Sequence, residues 1–350
     1  MEFLQESKIR KNFGHIYRTK KAFKILGVIF CVYLAIFLLL YIPIATASLP
    51  RVGPVLNYDG DNPFIVFDER ALISAHRAGG ALAPENTLSA FKNCLENGDY
   101  KVDILEFDLR LTKDGELVLL HDETLDRTSN AVEFFGQEKV KASEKTLAEL
   151  KQLNMGENFT AEDGSIPYRG LRGDGIPNEV KIPNLNEILD YCESQRSDLR
   201  YIIEIKDGSS LGKRATDRLY EILSQRGLTD RVIVGSFKSD ILQYIDEKYP
   251  TVIRSASPAE ALLTYYRFLF NVNLKNYDLK FKVLQIPNVE FFKTGGAAFV
   301  DYCHYYNLAV QYWTINDAEE MRSLINARAD GIITDNPSMA SKVLERQKAD

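Results

Sequence analysis

Within residues 72–122 the chain gathers two of its four histidines, His76 and His121, and two acids, Glu106 and Asp108, at the ends of apolar, strand-like runs. Polar groups at buried strand ends are expensive unless they have a task. Glu106 and Asp108 are two apart, so on a strand their carboxylates share a face. On an interior face they repel each other unless a cation sits between them. The apolar run 201–206 places Glu204 on a further strand, where it supplies a third oxygen donor. Three hard carboxylates suit one divalent cation, Ca²⁺ or Mg²⁺. The alternative is that these acids pair with Arg77, Arg110 or Lys206 in a structural ion-pair network.

The histidines pose the same choice. A lone histidine at a strand end is more often a packed core group, whereas two beside a carboxylate cluster can serve as general acid and base. Arg77 offers a planar fork for phosphate oxygens and Lys206 a point charge, and either can instead close a salt bridge. Gln285 can face a substrate or satisfy backbone. Trp313, the only tryptophan, can line a site, although core packing is the commoner fate of an aromatic on such a strand. The turn 84–87, Pro-Glu-Asn-Thr, opens a helix with Asn86 or Thr87 as its N-cap.

Positioning these groups needs an alternation of strands and helices. Apolar runs begin near residues 72, 103, 201, 231, 252, 283, 309 and 331, with helical patterns between most of them, as at 87–97, 212–225, 238–248 and 317–327. Eight strands in such an order predict an α/β fold, the (β/α)8 TIM barrel, over residues 71–346. The run 116–120 follows residues 103–111 after only Lys113-Asp114-Gly115, too few for a crossover helix, so the two form an antiparallel hairpin. Folding about Asp114 returns His121 to the side of Asp108, at the C-terminal mouth where barrel enzymes keep their chemistry. Residues 123–183, with a short helix near 146–153, are too long for an ordinary loop and form a small insertion subdomain over the mouth.

The formal net charge is −6, but residues 1–24 carry +5, which leaves −11 on the remainder. An acidic body excludes general nucleic-acid binding. Residues 25–45 contain no charge, and 21 residues at 1.5 Å each cover the roughly 30 Å apolar core of a bilayer. They form a transmembrane helix; the basic segment before it puts the N-terminus in the cytoplasm and the large domain on the extracytoplasmic side. Cleavage after Ala45-Thr46-Ala47, yielding a secreted protein, is the alternative, though the apolar run is long for a signal peptide. Residues 46–70 read as a linker. Cys94, Cys192 and Cys303 are widely spaced and expected as free, buried thiols, with no zinc-binding pattern.

His76-Arg77, Pro84-Glu-Asn-Thr87, Glu106-x-Asp108, Thr112-Lys-Asp-Gly115 and His121-Asp122, in this order, resemble the glycerophosphodiester phosphodiesterase family. Glu204-Ile-Lys206, Gln285, Trp313-Thr-Ile-Asn316 and the run Asp330-Gly-Ile-Ile-Thr-Asp335 extend the resemblance over most of residues 72–345. It implies a barrel with one divalent cation at Glu106, Asp108 and Glu204, His76 and His121 as the acid–base pair, and Arg77 and Lys206 on phosphate. It also implies products of glycerol 3-phosphate and an alcohol. Two other readings stand beside it: a lysophospholipase D taking lysolipids from the bilayer, for which Phe134, Phe135 and the apolar run 262–270 would supply a rim, and an inactive barrel serving as a receptor. Intact acids and histidines speak against the receptor. The sequence leaves the oligomeric state open.

Overall fold

The computed structural model describes residues 26–39, 41–53, 58, 60–66 and 70–349. The basic segment 1–24, Ile25 at the head of the expected span and parts of the expected linker 46–70 lie outside the described residues. The chain divides into two units, Met1–Leu49 and Pro50–Asp350. In the first, α1 (Leu26–Ala45) is a helix of 20 residues and mean hydropathy 2.7, with none of its apolar window buried. By length and composition it can cross a membrane.

The second unit holds β1 (Leu72–Ala75), β2 (Ile104–Leu111), β3 (Leu117–Leu119), β4 (Arg200–Ile205), β5 (Val232–Gly235), β6 (Val283–Ile286), β7 (Ala309–Tyr312) and β8 (Gly331–Thr334). Its helices are α2 (Leu88–Glu96), α3 (Ala131–Phe135), α4 (Leu147–Leu150), α5 (Leu185–Gln195), α6 (Ser209–Arg226), α7 (Ser239–Lys248), α8 (Pro258–Leu269), α9 (Ala297–Tyr305), α10 (Ala318–Asn326) and α11 (Pro337–Ala349). Seven strands run parallel in the order β5-β4-β2-β1-β8-β7-β6, and β3 pairs antiparallel with β2, Leu109 facing Leu119. The hairpin turns at Gly115 (φ 86°), a left-handed position that glycine occupies without strain.

The strand expected at 252–255 is not a full strand. Residues 253–256 bridge β5 and β6 only at Val234–Arg254 and Ser255–Val283, so the barrel is nearly rather than fully closed. Sequence explains the shortfall: Ser257 caps α8 with Glu260 in a capping box and Pro258 occupies its first turn, so the chain becomes helical at once. Arg254, 2% exposed, staples this seam through paired bonds to Asp246 (2.6 and 2.7 Å) and Glu260 (both 2.9 Å). The apolar run 262–270 lies mostly in α8, which buries Tyr265, Phe268 and Leu269 and leaves Leu262, Leu263 and Tyr266 exposed.

Inside the barrel, the two-residue period of each strand grades the interior from apolar to polar. Leu72, Ile104, Ile202, Ile233, Val283, Ala309 and Ile333 form one cluster, with Phe64 and Ile65 packed against them. Each buried leucine, isoleucine, valine or phenylalanine among them contributes roughly 1.5–3 kcal/mol. Two residues further along β2, β4, β6 and β7 stand Glu106, Glu204, Gln285 and Gln311. The insertion has its own core, in which Leu125, Val140, Leu150, Leu153, Met155 and Ile182 pack under Val118 and Leu120; Phe135 packs on that core while Phe134 is exposed. Cys94, Cys192 and Cys303 are buried and free. Burial pushes the Cys94 thiol up to about 12, so these are inert packing groups.

Candidate active site

β2 and β4 pair with Asp108 opposite Glu204, which brings the acids of two strands level with each other. Glu106, Asp108 and Glu204 each present a carboxylate oxygen within 4.8 Å of the others. Oxygens sharing one calcium ion at 2.3–2.6 Å lie at most about 5 Å apart, so the donor set fits a single hard cation. Burial and the neighbouring Asp108 charge push the Glu106 carboxyl up to about 7. Burial likewise raises Glu204, outweighing Lys206. Asp108 is lowered: burial opposes its charge, but Lys206 and His121 prevail. Such a cluster favours an added positive charge.

Lys206 continues the interior face of β4 and reaches Glu204 at 2.9 Å and Asp108 at 3.2 Å. Burial opposes its charge, yet Asp108 and Glu204 raise its pKa, so it is a firm cation. Arg77 leaves β1 through a turn in which it (φ 51°) and Ala78 (φ 60°) adopt the left-handed region, strain of the kind that collects at functional sites. That turn aims the Arg77 amide at Glu106 (2.6 Å) and the guanidinium at Glu85 (3.1 Å). Both ion-pairing and phosphate-facing readings of Arg77 and Lys206 therefore have a physical basis.

His76 Nδ1 lies 2.6 Å from Asp335 Oδ1, and Asn316 holds the other Asp335 oxygen at 2.7 Å. Burial opposes protonation of His76, but the Glu106 charge and the Asp335 bond outweigh it and raise its pKa. His121 Nδ1 lies 2.7 Å from Asp122 Oδ1. Asp122 is held well below the usual carboxylate range by His121 and by Arg127, which donates at 2.5 Å. Each imidazole thus has one nitrogen oriented by a carboxylate, the arrangement that fixes a tautomer for proton transfer. The amide of Leu120 bonds the Asp108 carbonyl at 3.0 Å, which brings the His121 end of the hairpin back to β2.

Gln285 donates to Gln311 at 3.0 Å rather than to the acids. Both belong to the interior level of Glu204, because a Cβ on Gly235 would meet Gln285 Oε1 at 3.8 Å and Glu204 Cγ at 3.9 Å. Trp313 packs on the apolar barrel cluster and meets Phe237 edge to face, ring centres 5.7 Å apart. Lys206 Nζ lies 5.7 Å from the same Phe237 ring.

Several neighbours were not singled out from sequence as site residues. Asn86 (φ 57°) does not cap α2: its amide donates to Asp108 at 2.9 Å. Thr87 occupies the cap position without a side-chain cap bond and donates instead to Pro84 O at 2.7 Å. No local signal predicts this, because the Asn86 turn is set by its bond to the Arg77 carbonyl. Asp335 had a signal: it follows Ile333 by two, as Asp108 follows Glu106. Arg127, from the insertion, binds Asp122 and also Glu85 (2.6 and 2.9 Å), which ties the insertion to the mouth.

Residues 76–339 match the model of the glycerophosphoryl diester phosphodiesterase family. The chain is 30% identical over 269 residues to a glycerophosphodiester phosphodiesterase of Caldanaerobacter subterraneus, covering 77% of this chain and 95% of that protein. The solved structure of a glycerophosphodiester phosphodiesterase from Thermotoga maritima is similar at 26% identity and TM-score 0.54, over 78% of this chain and 98% of that one. An Oleispira antarctica phosphodiesterase, solved in complex with the product sn-glycerol-3-phosphate, shares the fold at 22% identity and TM-score 0.59, over 79% of this chain and 97% of that one.

Proposed function

The chain belongs to the glycerophosphoryl diester phosphodiesterase family and is a phosphoric diester hydrolase; on that premise we propose that it hydrolyses glycerophosphodiesters to glycerol 3-phosphate and an alcohol with His76 and His121 as its acid–base pair. The observation that carries the assignment is the meeting of three carboxylates, two carboxylate-oriented imidazoles and a partly buried lysine at one end of the barrel.

Arg77 and Lys206 hold the phosphoryl oxygens, while Gln285 and Trp313 line the pocket. One histidine takes the proton of the glycerol 2-hydroxyl as its oxygen bonds to phosphorus; the other protonates the departing alkoxide as the bond to the alcohol breaks. Water then opens the cyclic diester with the histidine roles exchanged. Glu106, Asp108 and Glu204 would hold one divalent cation, Ca²⁺ or Mg²⁺, which when bound offsets charge growing on the phosphoryl oxygens.

The product named for the Oleispira structure agrees with glycerol 3-phosphate here. The lysophospholipase D alternative draws no support from these relatives. We read α1 as an uncleaved single-pass anchor, N-terminus inside and the barrel outside, on its length and the basic residues before it. The test is release of glycerol 3-phosphate from glycerophosphocholine by the full chain in detergent, with EDTA and after Ca²⁺ or Mg²⁺ is restored. Metal-restored release that is lost in His76→Ala and in His121→Ala is expected. Release untouched by EDTA, or retained by both variants, would overturn the site.

A further inference from the structure

Large apolar side chains exposed on the second unit are not scattered. Among the described residues, eight of the eleven fall between 237 and 292. Five of them cluster where β5, residues 253–256 and β6 deliver the chain to the mouth. Phe237 follows β5, Leu262 and Leu263 lie in the second turn of α8, and Phe291 and Phe292 lie in the loop after β6; all are 40–65% exposed. Tyr265 of α8 ties the second loop to the helix, donating its hydroxyl to the Phe292 carbonyl and setting its ring 6.0 Å from that of Phe292, while Phe237 stands at the neighbouring strand end, against Trp313. Exposed Lys238 and Lys293 flank the aromatics, with Glu290 the acidic residue of the second loop.

Soluble proteins rarely leave so many large apolar side chains in water on neighbouring segments. Aromatic tips with flanking lysines match the water–lipid boundary, where rings sit at headgroup level and ammonium groups reach the phosphates. The same chain carries α1, which can cross a bilayer by length and composition. A bilayer tethered to the barrel is therefore the occupant on hand for this edge.

We infer that Phe237, Leu262, Leu263, Phe291 and Phe292 form a docking rim that enters the interfacial layer of a lipid bilayer and holds the catalytic mouth at headgroup level. The inference rests on reading α1 as an anchor. At its inner end the rim meets the site, since Phe237 packs against Trp313 and near Lys206. Diesters displayed at or released from a lipid surface would then reach the acids without crossing bulk water.

The test uses the full chain with Cys31→Ser, reconstituted into phosphatidylcholine vesicles containing phosphatidylglycerol, with one environment-sensitive fluorophore at Leu262→Cys. A control places the label at Asp99→Cys, between α2 and β2 at the other end of the barrel. Quenching at 262 by spin-labelled lipid, and at 99 by aqueous iodide alone, is expected. The double substitution Phe291→Ser and Phe292→Ser should keep glycerophosphocholine turnover and lower the lipid quenching at 262 by on the order of tenfold. A label at 262 open to iodide and untouched by spin-labelled lipid in anchored protein overturns the rim. One shielded from both overturns it too, in favour of a protein contact. Extraction of the chain by alkaline carbonate would sink the anchor reading separately, and lipid quenching at 262 on adding vesicles to that extracted protein still decides the rim.

Discussion

Glu106 gives the carboxylate cluster a testable cost. Its carboxyl, 5% exposed, is pushed from 4.5 up to about 7 by burial and by Asp108. A carboxyl whose pKa is higher in the folded state holds a proton there that the unfolded chain releases. Its contribution is fully present below pH 4.5 and lost as pH rises through 7. A rise from 4.5 to about 7 is worth about 3 kcal/mol, and His76, also raised, acts in the same direction. With EDTA present, urea unfolding of the detergent-solubilised chain, followed by the emission of its single tryptophan, Trp313, should give a midpoint that falls between pH 5 and pH 8. Adding Ca²⁺ or Mg²⁺ should remove much of the fall, because a cation replaces the proton. Below pH 7 its apparent affinity should weaken about tenfold per pH unit. Glu106→Gln, neutral throughout, should flatten the metal-free profile. A metal-free midpoint unchanged from pH 5 to 8, or a Glu106→Gln profile as steep as that of the parent chain, would refute the reasoning.

Arg127→Met removes the clamp on Asp122 and Glu85 and should lower kcat by one to two orders of magnitude with little change in KM, since it loosens the orientation of His121 rather than the phosphate grip; unchanged kcat in steady-state assays would exclude a positioning role. Gly212→Ala should destabilise the barrel by about 1–3 kcal/mol, because the new Cβ would stand 2.3 Å from the Asp207 carbonyl and 2.6 Å from Ile241; an unchanged urea midpoint would show that α6 can move off β4.

The parts of the site written into single strands were legible. Glu106, Asp108 and Glu204 are fixed by a two-residue period on apolar runs, and the brevity of Lys113-Asp114-Gly115 forced the hairpin that returns His121. What escaped depends on distant pairs: Asn86 faces Asp108 only because the Arg77 turn bends its backbone, and Arg127 reaches Glu85 across the mouth. The short segment at 253–256 shows the limit of counting apolar runs. Its residues read as strand, but the cap at Ser257 and the proline after it end extended structure before a ladder can form. Run 262–270, equally apolar, lies mostly in α8, and its burial follows a helical rather than a strand period.

That incomplete ladder divides the barrel mechanically. The groups proposed to react issue from β1, β2, β3, β4 and the end of β8, a stretch in which each strand bonds directly to its neighbour. Across the barrel, β5 and β6 do not pair; residues 253–256 join them through two isolated bridges with four backbone hydrogen bonds, and one buried arginine secures the seam. The ring thus has a stiff arc and a compliant one. Loops at the compliant arc can yield when they press on another surface, while the distances among His76, His121 and the three carboxylates are held by the stiff side.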